Sequence, residues 1–276
     1  MDETYKQMMR QTLKMAGMSD EEIEATLAMQ VAAMQDANID MSALEQCMQN
    51  PYEGMGGNYA DLLNSDSYFE FAENPTINKS YQWAVACGAD LIHLRADVIN
   101  DLSTGADSET CLSTLSQQWG IDTKKDFIKM ADSLKSGRHS VIYQRLAAGE
   151  NLPDYQEEKE CMQEALPVFQ QDGLATTFPN MLIWDLGRLI NISRFAFDAQ
   201  LIDRSTALAY LKEAALLVKK NYTSWKELSV GYQFGRVVWG GLEEYETLKE
   251  GMEQLLTEED SPWVTLPFDM KLNFEE

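Results

Sequence analysis

Leu182-Ile183-Trp184-Asp185-Leu186-Gly187-Arg188-Leu189-Ile190-Asn191-Ile192-Ser193-Arg194-Phe195-Ala196-Phe197 decides how the rest of the chain is read. A helix drawn through it carries apolar residues at almost every angle, and such a helix belongs at the centre of a fold, covered on all sides. Its charges come in helical register. Asp185 and Arg188 are three residues apart and can meet on one face; Arg194 and Asp198, four apart, can do the same. A buried charge is costly unless paired, so pairing is the expectation. Arg188 can also lie on the ring of Trp184, one turn before it.

Working outward, a second cluster follows at Ser224-Trp225-Lys226-Glu227 and Gly231-Tyr232-Gln233-Phe234-Gly235-Arg236-Val237-Val238-Trp239. Ser224 with Glu227 reads as a capping box that opens a helix. Gly231 and Gly235, four apart, expose one helix side to close approach by a neighbour. Residues 181–240 hold eight Lys/Arg against five Asp/Glu, a net +3 in a chain of net charge -23, and three of its six tryptophans. Two readings stand. Trp184, Asp185, Arg188, Arg194, Trp225, Arg236 and Trp239 could line a pocket that grips an anionic ligand. Alternatively they form an internal network of ion pairs and rings that fixes helix register. Lys212, Lys219, Lys220 and Lys226 read as solvated positions on the two later helices.

The remaining chain reads as helix throughout. Ser19-Asp20-Glu21-Glu22 is a capping box, and helices are expected near 3–16, 20–36 and 42–50, closed by a loop at 51–58 with Gly54, Gly56 and Gly57. The spacing of Tyr81, Val85, Gly88, Ile92, Ile99 and Leu102 predicts a long amphipathic helix over 77–102. Asp122 or Thr123 caps a helix to Lys135, with Gly137 as the stop. Further helices are expected at 139–148, 155–170 (interrupted at Pro167), 180–199, 204–221, 225–240 and 243–256. The tail from Ser261 to Pro267 reads as extended. No stretch alternates with period two. The fold class is all-α: a compact multi-helix bundle at 59–276, preceded by an N-terminal helical hairpin within 1–58. That first segment holds most of the methionines, ten of fifteen by residue 55. It can serve as a docking arm, as a soft-metal site, or as filler packed on the body.

The residues Trp184-Asp185-Leu186-Gly187-Arg188, Arg194, Ser224-Trp225, Gly235-Arg236 and Trp239 resemble the core pattern of a bacterial family, domain of unknown function 1266 (DUF1266), the YbeU-like proteins. Trp119-Gly120-Ile121-Asp122 and Leu134 with Gly137-Arg138 fit upstream; Ser261-Pro262-Trp263, Leu266 and Pro267 fit the close. The resemblance covers about 80–268 and leaves 1–58 outside. Gln200 stands where the family usually has glycine. The resemblance implies an all-helical domain and assigns no catalytic residue.

Composition narrows the function. A pI near 4.4 argues against nucleic acid and anionic membranes, whose phosphates need Lys and Arg, and favours a basic protein partner. Residues 241–276 are the most acidic end, with eleven Asp/Glu against Lys249 and Lys271. No run is long and apolar enough for a transmembrane helix, and the start lacks the pattern of a signal peptide. Cys47, Cys87, Cys111 and Cys161 are irregularly spaced, which suits a reduced, cytosolic protein without a zinc site. Gly54-Met55-Gly56-Gly57 lacks the lysine of a phosphate loop. Asp90 and His93 share a helix face but have no second acidic-x-x-His to complete a two-metal set. Cys87 and His93 are six apart on different faces, which gives no nucleophile–base pair. No cofactor is implied. The expectation is a non-catalytic interaction module, inhibitor or immunity-like, that binds a basic protein. The alternative is a small-molecule-binding protein or enzyme built on the Arg/Trp pocket.

Overall fold

The computed structural model describes residues 67–275. The expected N-terminal helices, the glycine loop and the methionine-rich segment lie outside the described residues. Every regular element among those described is helical. The elements are α1 (Lys79–Ala86), α2 (Ala89–Leu94), α3 (Ser108–Trp119), α4 (Lys124–Lys135), α5 (Ser140–Ala147), α6 (Gln156–Gln171), α7 (Leu182–Asp198), α8 (Arg204–Asn221), α9 (Trp225–Gly240), α10 (Tyr245–Thr257) and α11 (Pro262–Thr265), with 3-10 turns at Pro153–Tyr155 and Leu242–Glu244.

The opening stretch forms α7, and α7 is the hub. Every residue from Ile183 to Ala196 is buried, and α2, α3, α4, α5, α8 and α9 all pack on it. Two glycines of α9 let that helix settle onto α7. A methyl group on Gly235 would sit 2.6 Å from Cβ of Trp184, and one on Gly231 would run into the carbonyl of Asn180. Side chains from several directions thus meet around α7 without a gap for solvent, which is the packing an all-round apolar helix requires.

Caps start the helices where the sequence signals them. Thr123 and Asp126 make a reciprocal box at α4. Ser224 accepts from the backbone of Glu227 at α9, but the Glu227 carboxylate reaches the Thr223 backbone and hydroxyl rather than closing the box on Ser224.

Four differences from the sequence reading have physical causes. The helix expected over 77–102 breaks after Ala86 and ends at Leu94. Gly88 lies against Gly187 and Ile190 of α7, and a side chain there would crowd Ile190 at 3.2 Å. Beyond it Ala96 turns left-handed, at φ 53°, and residues 98–103 offer their carbonyls to Arg194. The break keeps the apolar spacing on the core side, so periodicity alone runs straight through it. Pro167 does not interrupt α6: Pro167 and Gln163, the residue whose carbonyl loses its helical donor, are both solvent-exposed, where water can serve instead. α3, absent from the sequence reading, opens on Asp107, whose carboxylate takes the Glu109 and Thr110 backbone. The tail forms the short α11, capped by Ser261 with Pro262 at its first position.

Gln200, between α7 and α8, has φ 59°. That is the left-handed region where glycine is the natural occupant.

The tail closes the fold over α1. Trp263 stacks on Trp225 with rings 7° from parallel, and Trp225 also lies 5.0 Å from Trp83 of α1. The indole of Trp263 donates to Ala86, that of Trp225 to Leu266 and that of Trp83 to Pro267. Further on, Asn273 donates its backbone N–H to Ser80, and Phe274 packs on Tyr81. Lys219 of α8 is drawn in here, its ammonium 4.8 Å from the Trp83 ring and bonded to the carbonyl of Phe268. It is therefore half-buried, unlike the solvated position expected of it, and burial lowers its pKa.

Candidate functional site

The seven candidate residues separate into three places. The first is the N-terminal half of α7. Asp185 is fully buried, and its Oδ2 accepts the backbone N–H groups of His139 (2.9 Å) and Ser140 (2.8 Å) at the start of α5. It thereby caps a helix whose own sequence supplies no capping side chain. Its Oδ1 accepts from Arg188 Nη2 at 2.6 Å. Arg188 also donates Nε to the carbonyl of Trp184, and its Nη2 lies 2.9 Å from His139 Nδ1. The same Nδ1 lies 3.3 Å from Asp185 Oδ1, so this ring nitrogen faces both members of the pair. The guanidinium lies 4.0 Å from the centre of the Trp184 ring and 6.0 Å from that of Trp119.

Electrostatics match this geometry. Burial alone would raise the Asp185 carboxyl. The contacts with His139, the charge of Arg188 and the backbone donors of α5 outweigh burial and hold it below its ordinary value. Burial lowers Arg188 and Asp185 opposes that. The arrangement is an ion pair that fixes α5 on α7.

Arg194 occupies a second place, toward the other end of α7. It is completely buried and donates to the carbonyls of Leu102, Val98 and Ser103. It does not bond Asp198, the partner four residues on. Asp198 instead accepts from the backbone and hydroxyl of Thr104 at 2.7 Å each. Nη1 of Arg194 is buried with no partner. Nearby Asp97, Asp198 and Asp101 support its charge against burial. Arg194 organises the loop after α2.

Trp225 belongs to the third place, the aromatic closure under the tail described above.

Arg236 and Trp239, on the last turns of α9, are linked to the first place through Trp184, whose ring is 6.0 Å from that of Trp239. Arg236 pairs with Glu244 and lies 5.0 Å from the Trp239 ring centre. Trp239 is 60% exposed, whereas Trp184 is 4% exposed.

Sequence reasoning did not assign roles to His139, Ser140, Trp119 and Glu244. Trp119 entered only as part of the family pattern, and no motif marks the others: Asp185 and Arg188 reach His139, Ser140 and Trp119 across long sequence separations, and Arg236 reaches Glu244 beyond the end of α9. A separate buried polar group links α2, α9 and α10. Asp90 accepts from Ser229 at 2.6 Å, and Gln233 donates to Ser229 and to the carbonyl of Leu248. Burial pushes the Asp90 carboxyl up to about 7, against the lowering effect of the Ser229 bond. Its Oδ2 has no partner.

Among the described residues, no group of three or more His, Cys, Asp or Glu is placed to hold a metal, and no helix is long and apolar enough to cross a membrane. A surface pocket of about 360 Å³ opens between Phe71, Ile99, Pro262 and Leu266, with Lys79 and Asp260 at its rim. None of the seven candidates lines it.

These features define an all-helical domain built on a buried, charge-bearing central helix. The chain belongs to the family described as Protein of unknown function (DUF1266), which it matches over residues 114–268, more than half its length. No curated protein and no solved structure matches it.

Proposed function

We propose that this chain is a non-catalytic interaction module of the cytosol that binds a basic protein, in the manner of an inhibitor or immunity protein. One observation carries the reading: the arginines that a pocket would need are engaged internally. Arg188 is held by Asp185, His139 and the Trp184 carbonyl, and Arg194 by three backbone carbonyls. A buried arginine held in this way cannot reach a ligand without breaking those bonds. With these cations withdrawn, the surface of a chain of charge -23 is left strongly acidic. Such a field attracts and steers a cationic partner, and added salt weakens it.

The test is affinity capture on the immobilised full chain at low salt, with elution by rising salt and identification of what elutes. A basic protein released by salt, and rebinding when purified, is expected. Retention of no protein, or only of proteins that salt does not release, overturns the reading.

A further inference from the structure

We infer that the C-terminal end of α9 is the docking surface for this basic partner, and that Trp239 with the carboxylates beside it receives an arginine side chain. The inference rests on the reading of the chain as an acidic interaction module and names the place where it acts.

Trp239 is the outlier among the tryptophans. Trp83, Trp184, Trp225 and Trp263 are all buried, yet Trp239 leaves 60% of its surface in water one residue after the buried Val238. Exposing a large indole is unfavourable in the isolated protein, and tryptophan is among the residues that most often anchor protein interfaces. Nothing in the helix requires it: the core is served by Phe234, Val237 and Val238 of the same segment.

The surroundings specify a cation. α9 is sixteen residues long, and its C-terminal end, where Trp239 sits, is the negative pole of the helix. No basic residue occupies its last turn. Glu243 folds back against Gly241, two residues beyond Trp239. On α6, which packs along α9, Cys161 donates to the carbonyl of Val237 at 3.3 Å. The charges of both Glu164 and Glu243 reach that thiol, adding to burial in raising its pKa. Glu164 follows Cys161 by three residues on α6 and Glu243 follows the last residue of α9 by three, and neither has a salt-bridge partner among the described residues. The molecule already shows the contact in miniature. Arg236 lies over Trp239 while Glu244 holds its guanidinium, which leaves that arginine neutralised and Glu243 and Glu164 free. A partner arginine would find the same combination: an aromatic face and carboxylates to fork. The planar guanidinium suits both better than the compact lysine ammonium does.

The test uses the full chain and a fluorescein-labelled dodecapeptide of alternating arginine and alanine, followed by anisotropy. Wild type is expected to bind at low salt and to release at high salt. Trp239→Ala should weaken binding by about tenfold or more, as loss of an interface anchor does. Trp239→Phe should restore part of it, Glu243→Gln should weaken it by a smaller factor, and Glu109→Gln on α3 should leave it unchanged. The lysine version of the peptide should bind more weakly, and the citrulline version not at all. Equal affinity of wild type and Trp239→Ala, with salt sensitivity intact, overturns this inference while leaving the acidic module standing. No binding of wild type at low salt overturns both. Melting curves of the Trp239 variants should match wild type, because the side chain they change is mostly in water.

Discussion

Asp185 and Arg188 hold each other at 2.6 Å one turn apart inside α7, and the same carboxylate caps α5 through its other oxygen. One side chain thus neutralises a buried guanidinium and satisfies two backbone donors of another helix. Removing either partner strands the other. Arg188→Ala and Asp185→Asn should each cost about 3–5 kcal/mol, the usual loss when one member of a buried pair is removed. Arg188→Lys should fail to restore stability, since an ammonium cannot reproduce the guanidinium's three contacts while staying over the Trp184 ring. Urea unfolding monitored by circular dichroism measures this, and a loss under about 1 kcal/mol would mean the pair is not buried as described.

Asp90 gives the fold a pH dependence of known sign. Its carboxyl is raised to about 7 in the folded state, above the ordinary carboxylate value, so the native protein holds a proton there that the unfolded chain has already lost. Its contribution to stability is fully present at acidic pH and disappears as pH rises through about 7. The span corresponds to on the order of 4 kcal/mol. Asp185 runs the other way: its lowered carboxyl contributes stability above the ordinary range and loses it as pH falls. The comparison to make is therefore wild type against Asp90→Asn from pH 4 to 8 (about the range between the two values). The variant should gain on wild type as pH rises, and a constant difference would contradict the assignment.

Gln200 predicts a gain. At φ 59° it pays a left-handed penalty that glycine does not. Gln200→Gly should stabilise the protein by about 1 kcal/mol, less what glycine's extra freedom in the unfolded chain takes back. A rise of about 2–4 °C in the melting temperature is the expected reading. A fall would show that the Gln200 side chain makes up for its backbone.

Gly235 predicts a loss from a single methyl group. With Trp184 Cβ at 2.6 Å from where that methyl would be, α9 must move off α7. Gly235→Ala should cost about 1–3 kcal/mol by overpacking. Gly120→Ala makes a useful contrast: a methyl there meets nothing within 4 Å, so its cost comes from the backbone at φ 62° alone. Equal costs for the two would argue against a tight α7–α9 contact.

What the sequence made legible follows from which interactions are local. The burial of α7 could be read because its apolar residues are consecutive. The Asp185–Arg188 pair could be read because helical geometry puts residues three apart together. The destination of Arg194 could not, because its partners are carbonyls of residues 98–103, and every residue has a carbonyl. The same holds for the capping of α5 by Asp185, whose partners are backbone N–H groups some forty-five positions away. The grouping of Trp83, Trp225 and Trp263 depends on long-range packing that no spacing encodes. Clustered composition placed Trp225 beside Arg188 in one imagined pocket. In space they belong to different clusters, because Trp225 opens α9 among Trp83 and Trp263 whereas Trp239, near its close, lies 6.0 Å from Trp184.

The three indole hydrogen bonds that tie residues 263–267 to α1 and α9 have a consequence for the living cell. A ribosome delivers α1 first and its cover last. Trp83 gains its acceptor, the Pro267 carbonyl, only after 184 further residues have been added. Until then the ring that will lie under Phe268 has nothing from the tail above it. Folding of this domain therefore cannot finish until residues 263–268 have left the ribosome, and a chain cut short before residue 263 would be released with an open seam for chaperones and proteases to find.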